Sequence, residues 1–334
     1  MKRFLASGLA LAFAVLVVAT FARTPAAQTG AQVLKACEAD EQEIEASALP
    51  DVVEPAECPV GERRIVDGLV ASVVPPAGQT VYAEVLTTLG AQELGVQHLP
   101  DGAVELTHVG DESVAEADLE DPAATDLFRA ASREGCSDLA NTDLDHKVTE
   151  TLAYGFRVST TPPSLRRLAA KNAIRRGAAN VFETRSNCRL GDHVPVALRY
   201  GGRTGAPAQV GDGLCGTNDG RSVVAFGDLE SGALAAACTI SHGSLGYDEV
   251  VAADVKINRA DFRWTAAPNA RSCRQAYDVE AVITHEWGHV FGLGHVPESG
   301  HRDLTMSPIV NGPCQAAERS LGRGDVLGLD GKYP

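Results

Sequence analysis

The sequence predicts an α/β (α+β) protein: a small acidic β-rich region, then a larger unit that mixes short strands with a few helices. Three observations carry that reading. Short apolar/polar alternations recur between Gly and Pro breaks, as half-buried strands require. Helix-period stretches begin near Leu165 and Ala276. Charge also divides the chain, with 5 Lys/Arg against 22 Asp/Glu over residues 31–135, and 21 against 22 over 136–334. The break falls between Asp121-Pro122 and Cys136, so the expected organisation is residues 1–27, 28–135 and 136–334.

In the acidic part, the period-two runs are Ile65 to Val74, Val81 to Leu89 and Val104 to Val109. Pro75-Pro76, Gly90 and Asp101-Gly102 are read as the breaks between them. The neutral part opens with a strand over Leu152 to Ser159, ended by Thr161-Pro162-Pro163. Ser164 then caps a helix from Leu165 to about Ala179, with Leu165, Leu168 and Ala169 on one face. Strands follow at Val194 to Tyr200, Val223 to Phe226, Leu234 to Ile240 and Val250 to Asn258, before a helix that starts near Ala276.

Composition narrows the functional classes. Hydrophobic residues are 44% and charged residues 22%, a globular balance. A net charge of -15 excludes a nucleic-acid binder driven by bulk charge, which needs a basic surplus to displace counterions. Lys2 and Arg3, the apolar run Leu5 to Phe21, and the small residues through Ala26-Ala27 read as a cleaved export signal over residues 1–27. The expected product is secreted and monomeric, with no stable membrane insertion. Its eight Cys are then expected to pair in oxidising surroundings.

The chemistry is concentrated in His285-Glu286-Trp287-Gly288-His289-Val290-Phe291-Gly292-Leu293-Gly294-His295. Four-residue spacing on a helix puts His285 and His289 on one face, with Glu286 flanking the same spot. Gly292 lets the chain leave the helix and brings His295 round as a third ligand. Three neutral imidazoles leave a fourth tetrahedral position for water, the pattern of a catalytic zinc. Bound water ionises near neutral pH, and an adjacent carboxylate can take its proton.

These residues match H-E-x-x-H-x-x-G-x-x-H, and the segment resembles the metzincin zinc proteases. Met306, in Thr305-Met306-Ser307, is similar to their Met-turn, and the chain has no other Met besides Met1. Within that group it resembles secreted bacterial matrixins over roughly residues 150–334. The resemblance implies a mixed twisted sheet, an active-site helix and a Met-turn beneath one zinc held by His285, His289 and His295. It implies Glu286 as general base for hydrolysis of protein or peptide substrates. A substrate strand would pair with an edge strand at Leu234, Ala235, Ala236 and Ala237. Pro308 and Ile309, after the Met-turn, would line a pocket for the residue following the scissile bond. Gly324-Asp325-Val326-Leu327-Gly328 resembles the family's closing helix. A rival from another class is a zinc-holding cell-surface or binding protein that keeps the fold without turnover.

The chain departs from the family at Val296, where vertebrate matrixins carry Ser. No P-R-C-G-x-P-D motif occurs in residues 28–135. The acidic region is expected to be a prosegment that restrains the enzyme, by a carboxylate reaching the zinc or by a run such as Val81 to Leu89 docking on the edge strand. The competing expectation is a permanent accessory domain.

Weaker signals complete the reading. His98, His108, His146, His193, His242 and His301 are expected on the solvated surface. The loop Gly211 to Gly220 has oxygen ligands suited to calcium, while Cys215 points instead to a disulfide-pinned turn. In Arg323-Gly324-Asp325, Asp325 is expected as a helix N-cap. The cysteines are expected to pair as Cys37–Cys58, Cys188–Cys215 and Cys273–Cys314, with Cys136–Cys238 left over.

Overall fold

Alternating residues from both halves of the chain build one long mixed sheet. The computed structural model describes residues 43–46, 49, 52–53, 64–113, 135–190, 194–243, 247–297 and 300–334. The expected export signal, Cys37, Cys58, His193 and the Asp121-Pro122 stretch lie outside them, and the His108 side chain is likewise not described.

The principal strands are β1 (Arg64–Asp67), β2 (Val70–Val73), β3 (Gln79–Thr87), β4 (Gly90–His98), β5 (Val104–Ser113), β6 (Leu152–Phe156), β7 (Leu198–Arg203), β8 (Leu214–Cys215), β9 (Ser222–Gly227), β10 (Ala233–His242) and β11 (Asp248–Asn258). The helices are α1 (Arg167–Phe182), α2 (Val279–Val290) and α3 (Arg323–Lys332). The long sheet runs β7-β6-β9-β11-β10-β3-β4-β5, with Val52–Val53 beyond β5 and His146–Lys147 beside β11. Strands β7, β6, β9 and β11 are parallel, and β10, β3, β4 and β5 continue antiparallel. This is the mixed α/β architecture expected of the sequence.

Two cores follow from the period of two. Leu86 and Ala91 share one face with Ala235 and Ala237, in the cluster that also takes α1 and α2. Val81, Ala83 and Val85 face the opposite way, with Ala236, Cys238 and Ile240. That second core is closed by a smaller sheet of Glu43–Glu45, β1, β2 and β8. Strand β8 comes from the C-terminal half yet pairs in parallel with β2. Both sheets therefore cross the charge break.

The structure corrects several expectations. Strand β10 is an edge only with respect to the C-terminal strands: it lies between β11 and β3 and is paired from Ala233↔Thr87 to His242↔Gln79, which is the docking named above as one option for the Val81 to Leu89 run. Strand β4 has no counterpart in the sequence reading, because Gly90 opens a strand rather than ending one. Helix α1 starts two residues later than expected, its N-cap is Arg166 rather than Ser164, and Leu168 is 58% exposed. Leu152 to Phe156 is strand, but Val158–Thr160 turns into a 3-10 helix.

Among the described cysteines, the expected Cys273–Cys314 pair is present, while Cys136 pairs with Cys188 and Cys215 with Cys238. Cys215 sits on β8 and Cys238 on β10, so that bridge ties the small sheet to the long one across the second core. Sequence separation alone cannot show such a contact between layers. His98 and His146 are also not surface residues. Both are buried, with His98 Nδ1 2.7 Å from the Pro75 carbonyl and His146 Nε2 2.8 Å from the His289 carbonyl. Among the described residues, no helix is long and apolar enough to cross a membrane.

Candidate metal centre

Helix α2 presents the first two histidines, and its position is fixed at both ends. Asp278 caps it by accepting from the Ala281 N–H at 3.2 Å, and is itself held by Arg319. All twelve residues of α2 are buried. At the other end Gly292, with φ +88°, turns the chain; a Cβ there would lie 2.2 Å from the His146 carbonyl oxygen. The turn is what returns His295 towards the helix.

The three imidazoles converge on one point. Their Nε2 atoms are 3.0 Å apart for His285 and His295, and 3.1 Å for each pair involving His289. Tetrahedral zinc with bonds of about 2.0–2.1 Å would set its nitrogen ligands only slightly further apart, at about 3.3 Å. Two outer nitrogens are hydrogen-bonded to carbonyls and the third faces a carboxylate. His285 Nδ1 donates to the Thr305 carbonyl at 2.7 Å, and His289 Nδ1 to the Leu293 carbonyl at 2.9 Å. His295 Nδ1 lies 2.5 Å from Glu93 Oε1.

With the proton on Nδ1, every Nε2 turns a lone pair inward. Three lone pairs pointed at one another in a buried site repel unless a cation lies between them. The donor set therefore fits a zinc ion. Burial drives the imidazoles the same way, pushing His285 down to about 3 and His289 well below its usual range, with neighbouring imidazoles adding to the effect.

Met306 forms the floor. A Cβ on Gly288 would lie 2.3 Å from the Met306 sulfur, so the glycine is what lets this turn approach the helix between the two histidines. Asp325 holds the turn from below, accepting from the Thr305 N–H (2.8 Å), the Met306 N–H (3.2 Å) and the Gly322 N–H (2.8 Å). Burial raises its carboxyl to about 6 against those three amides. Asp325 is thus the third residue of α3, whose N-cap is Gly322, and not the cap itself.

Glu286 is fully buried beside the cluster. Leu234, Ala235, Ala236, Ala237, Pro308 and Ile309 are all buried as well, the first four on β10, which pairs with β3. The N-terminal half supplies three further residues that the sequence reading did not single out. Glu84 comes within 4.8 Å of the histidine donors, Glu93 is the partner of His295, and the Tyr82 ring lies 5.9 Å from that of His289. Burial raises both Glu84 and Glu286, and the negative charge of Glu286 adds to the rise at Glu84.

Comparison with known proteins places this geometry. Residues 222–334 match the family model described as Matrixin. No curated protein gives a significant match to the chain. The matched segment contains α2, the three histidines, the Met306 turn and α3. Family and histidine cluster together support a metallopeptidase-type function, with zinc as the fitting metal. Residues 222–334 are thus similar to the matrixins, over about a third of the chain, and that segment carries the three histidines of the cluster.

Proposed function

We propose that this chain is a secreted zinc endopeptidase made in a closed form, with His285, His289 and His295 as ligands and Glu286 as general base. The observation that carries the proposal is the inward convergence of three imidazoles next to a buried carboxylate. Zinc bound there would polarise the scissile carbonyl and lower the pKa of water in the site. Glu286, one residue along the helix from His285, would take the proton of that water and hand it to the leaving amine. Ala235 to Ala237 would pair with an extended substrate once β3 no longer does, and Pro308 and Ile309 would border the next subsite.

Residues 1–27 would serve as the export signal and residues 28–135 as a prosegment. Paired cysteines and the family's usual location fit an extracellular protein. One observation favours the non-catalytic reading: three histidines with a carboxylate beside them resemble a filled structural zinc site.

The deciding experiment opens wild-type and Glu286→Gln proteins with the same added protease and follows hydrolysis of an unfolded protein. The variant should keep one zinc and lose about 10²–10⁴-fold in kcat/KM. Unchanged turnover in Glu286→Gln would remove Glu286 from its role. An opened wild type that binds zinc but cleaves nothing would favour the non-catalytic reading.

A further inference from the structure

We propose that Glu84 is a fourth ligand of the metal held by His285, His289 and His295, closing the site from within the chain. Glu84 is 1% exposed, on the face of β3 that looks towards α2. One of its oxygens is 4.0 Å from His295 Nε2, and it groups with all three histidine donors within 4.8 Å. Its carboxylate also lies next to that of Glu286. Among the described residues, no backbone N–H, hydroxyl or amide donates to either oxygen of Glu84. A carboxylate buried without such donors either shares a proton, as with the adjacent Glu286, or pairs with a cation. The three inward-turned Nε2 atoms beside Glu84 supply the place for a cation.

Register strengthens the argument. Glu84 stands directly opposite Glu93 in the β3–β4 pair and opposite Ala237 in the β3–β10 pair. Like charges facing across a sheet destabilise it. Here each of the two has its own counterpart at the cluster, Glu93 at His295 Nδ1 and Glu84 at the inward-facing Nε2 atoms. Ala237 carries only a methyl group opposite Glu84, so the neighbouring strand sets no bulky side chain beside the carboxylate. The hairpin thus places one acid on the outer side of a ligand and one on its metal side.

The consequence is latency without a thiolate. All six described cysteines are in disulfides, and none of those is free. Strand β3 meanwhile runs antiparallel along β10 over the stretch where an extended substrate would pair. Glu84 then fills the coordination position that water needs, and the strand fills the backbone position that substrate needs. This latency rests on the peptidase reading above, whereas the ligand assignment does not.

The test loads the full chain with Co(II) in place of zinc and titrates azide, an anion that takes an open metal position and shifts the visible spectrum. Wild type should exclude azide. Glu84→Ala should bind it saturably and release cobalt to a chelator at least about tenfold faster. Glu286→Gln, which removes no ligand, should exclude azide like wild type. If Glu84→Ala does not fold, judged by its circular dichroism and disulfides, the near-isosteric Glu84→Gln carries the same release-rate expectation. Azide binding by wild type as tight as by Glu84→Ala, or wild-type cobalt release from both Glu84 variants, would overturn the proposal. Azide exclusion that depends on Glu84, in a protein that stays inactive after opening, would keep the ligand and remove the peptidase.

Discussion

Helix α2 with its return turn, and the β3–β4 hairpin, meet at the same metal centre but are built on different principles. In the first, donors ten residues apart in sequence are brought together by local geometry: one helical turn, one glycine with φ +88°, and one return. In the second, Glu84 and Glu93 reach the centre only because β3 pairs with β10, some 150 residues further along the chain. The first arrangement can be read from spacing. The second depends on a strand register, and shifting it by one residue would turn both carboxylates into the opposite core.

The largest effect expected of this comparison falls on the local ligands. His289→Ala should weaken zinc binding by about 10²–10³-fold, taking binding at a complete site as about 10–16 kcal/mol. Competition with a chromophoric chelator measures it. Near-normal zinc affinity in that variant would mean the histidine triangle does not hold the metal.

A smaller loss is expected from the hairpin side. Glu93→Gln keeps shape but removes the charge that orients His295, and should cost about 10–100-fold in zinc affinity. The same chelator competition reads it, beside a surface control such as Glu43→Gln. An effect no larger than the control's would reduce β4 to a cover that plays no part in the metal site.

The remaining effect is on stability rather than on metal affinity, and lies in the sheet that carries both regions. Burial raises Asp254, on β11, to about 7, against amides that include the Val223 N–H at 2.9 Å. The folded state then holds a proton that the unfolded state has released, so stability from this group is greatest at low pH. It should fall as pH rises from about 4 to about 7, by at most about 2–4 kcal/mol. Denaturant midpoints across that range should flatten in Asp254→Asn. An unchanged pH slope in the variant would assign the dependence to another group.

The comparison also explains what was legible in the sequence. Strands β9, β10 and β11 and helix α2 were placed to within a few residues, because alternation and capping are local. Strand β4 was missed because Gly90-Ala91-Gln92-Glu93-Leu94-Gly95 has too little apolar alternation to mark a strand. His146 looked like a surface histidine, because the carbonyl that its ring meets belongs to His289, 143 residues away. Cys215 and Cys238 could not be paired from spacing, because their contact arises from the stacking of two sheets.

By itself, then, the sequence determined the centre of the site: three histidines, Glu286 and Met306 at offsets that a helix and a tight turn convert directly into geometry. The tertiary structure alone decided that the cleft strand β10 is already paired, that Asp325 carries the Met306 turn, and that two acids from the N-terminal half reach the histidines. The physical reason is range. Backbone geometry fixes the position of a side chain four residues away, whereas the meeting of β3 with β10 is chosen by burying two apolar faces at once, which no short stretch of sequence encodes.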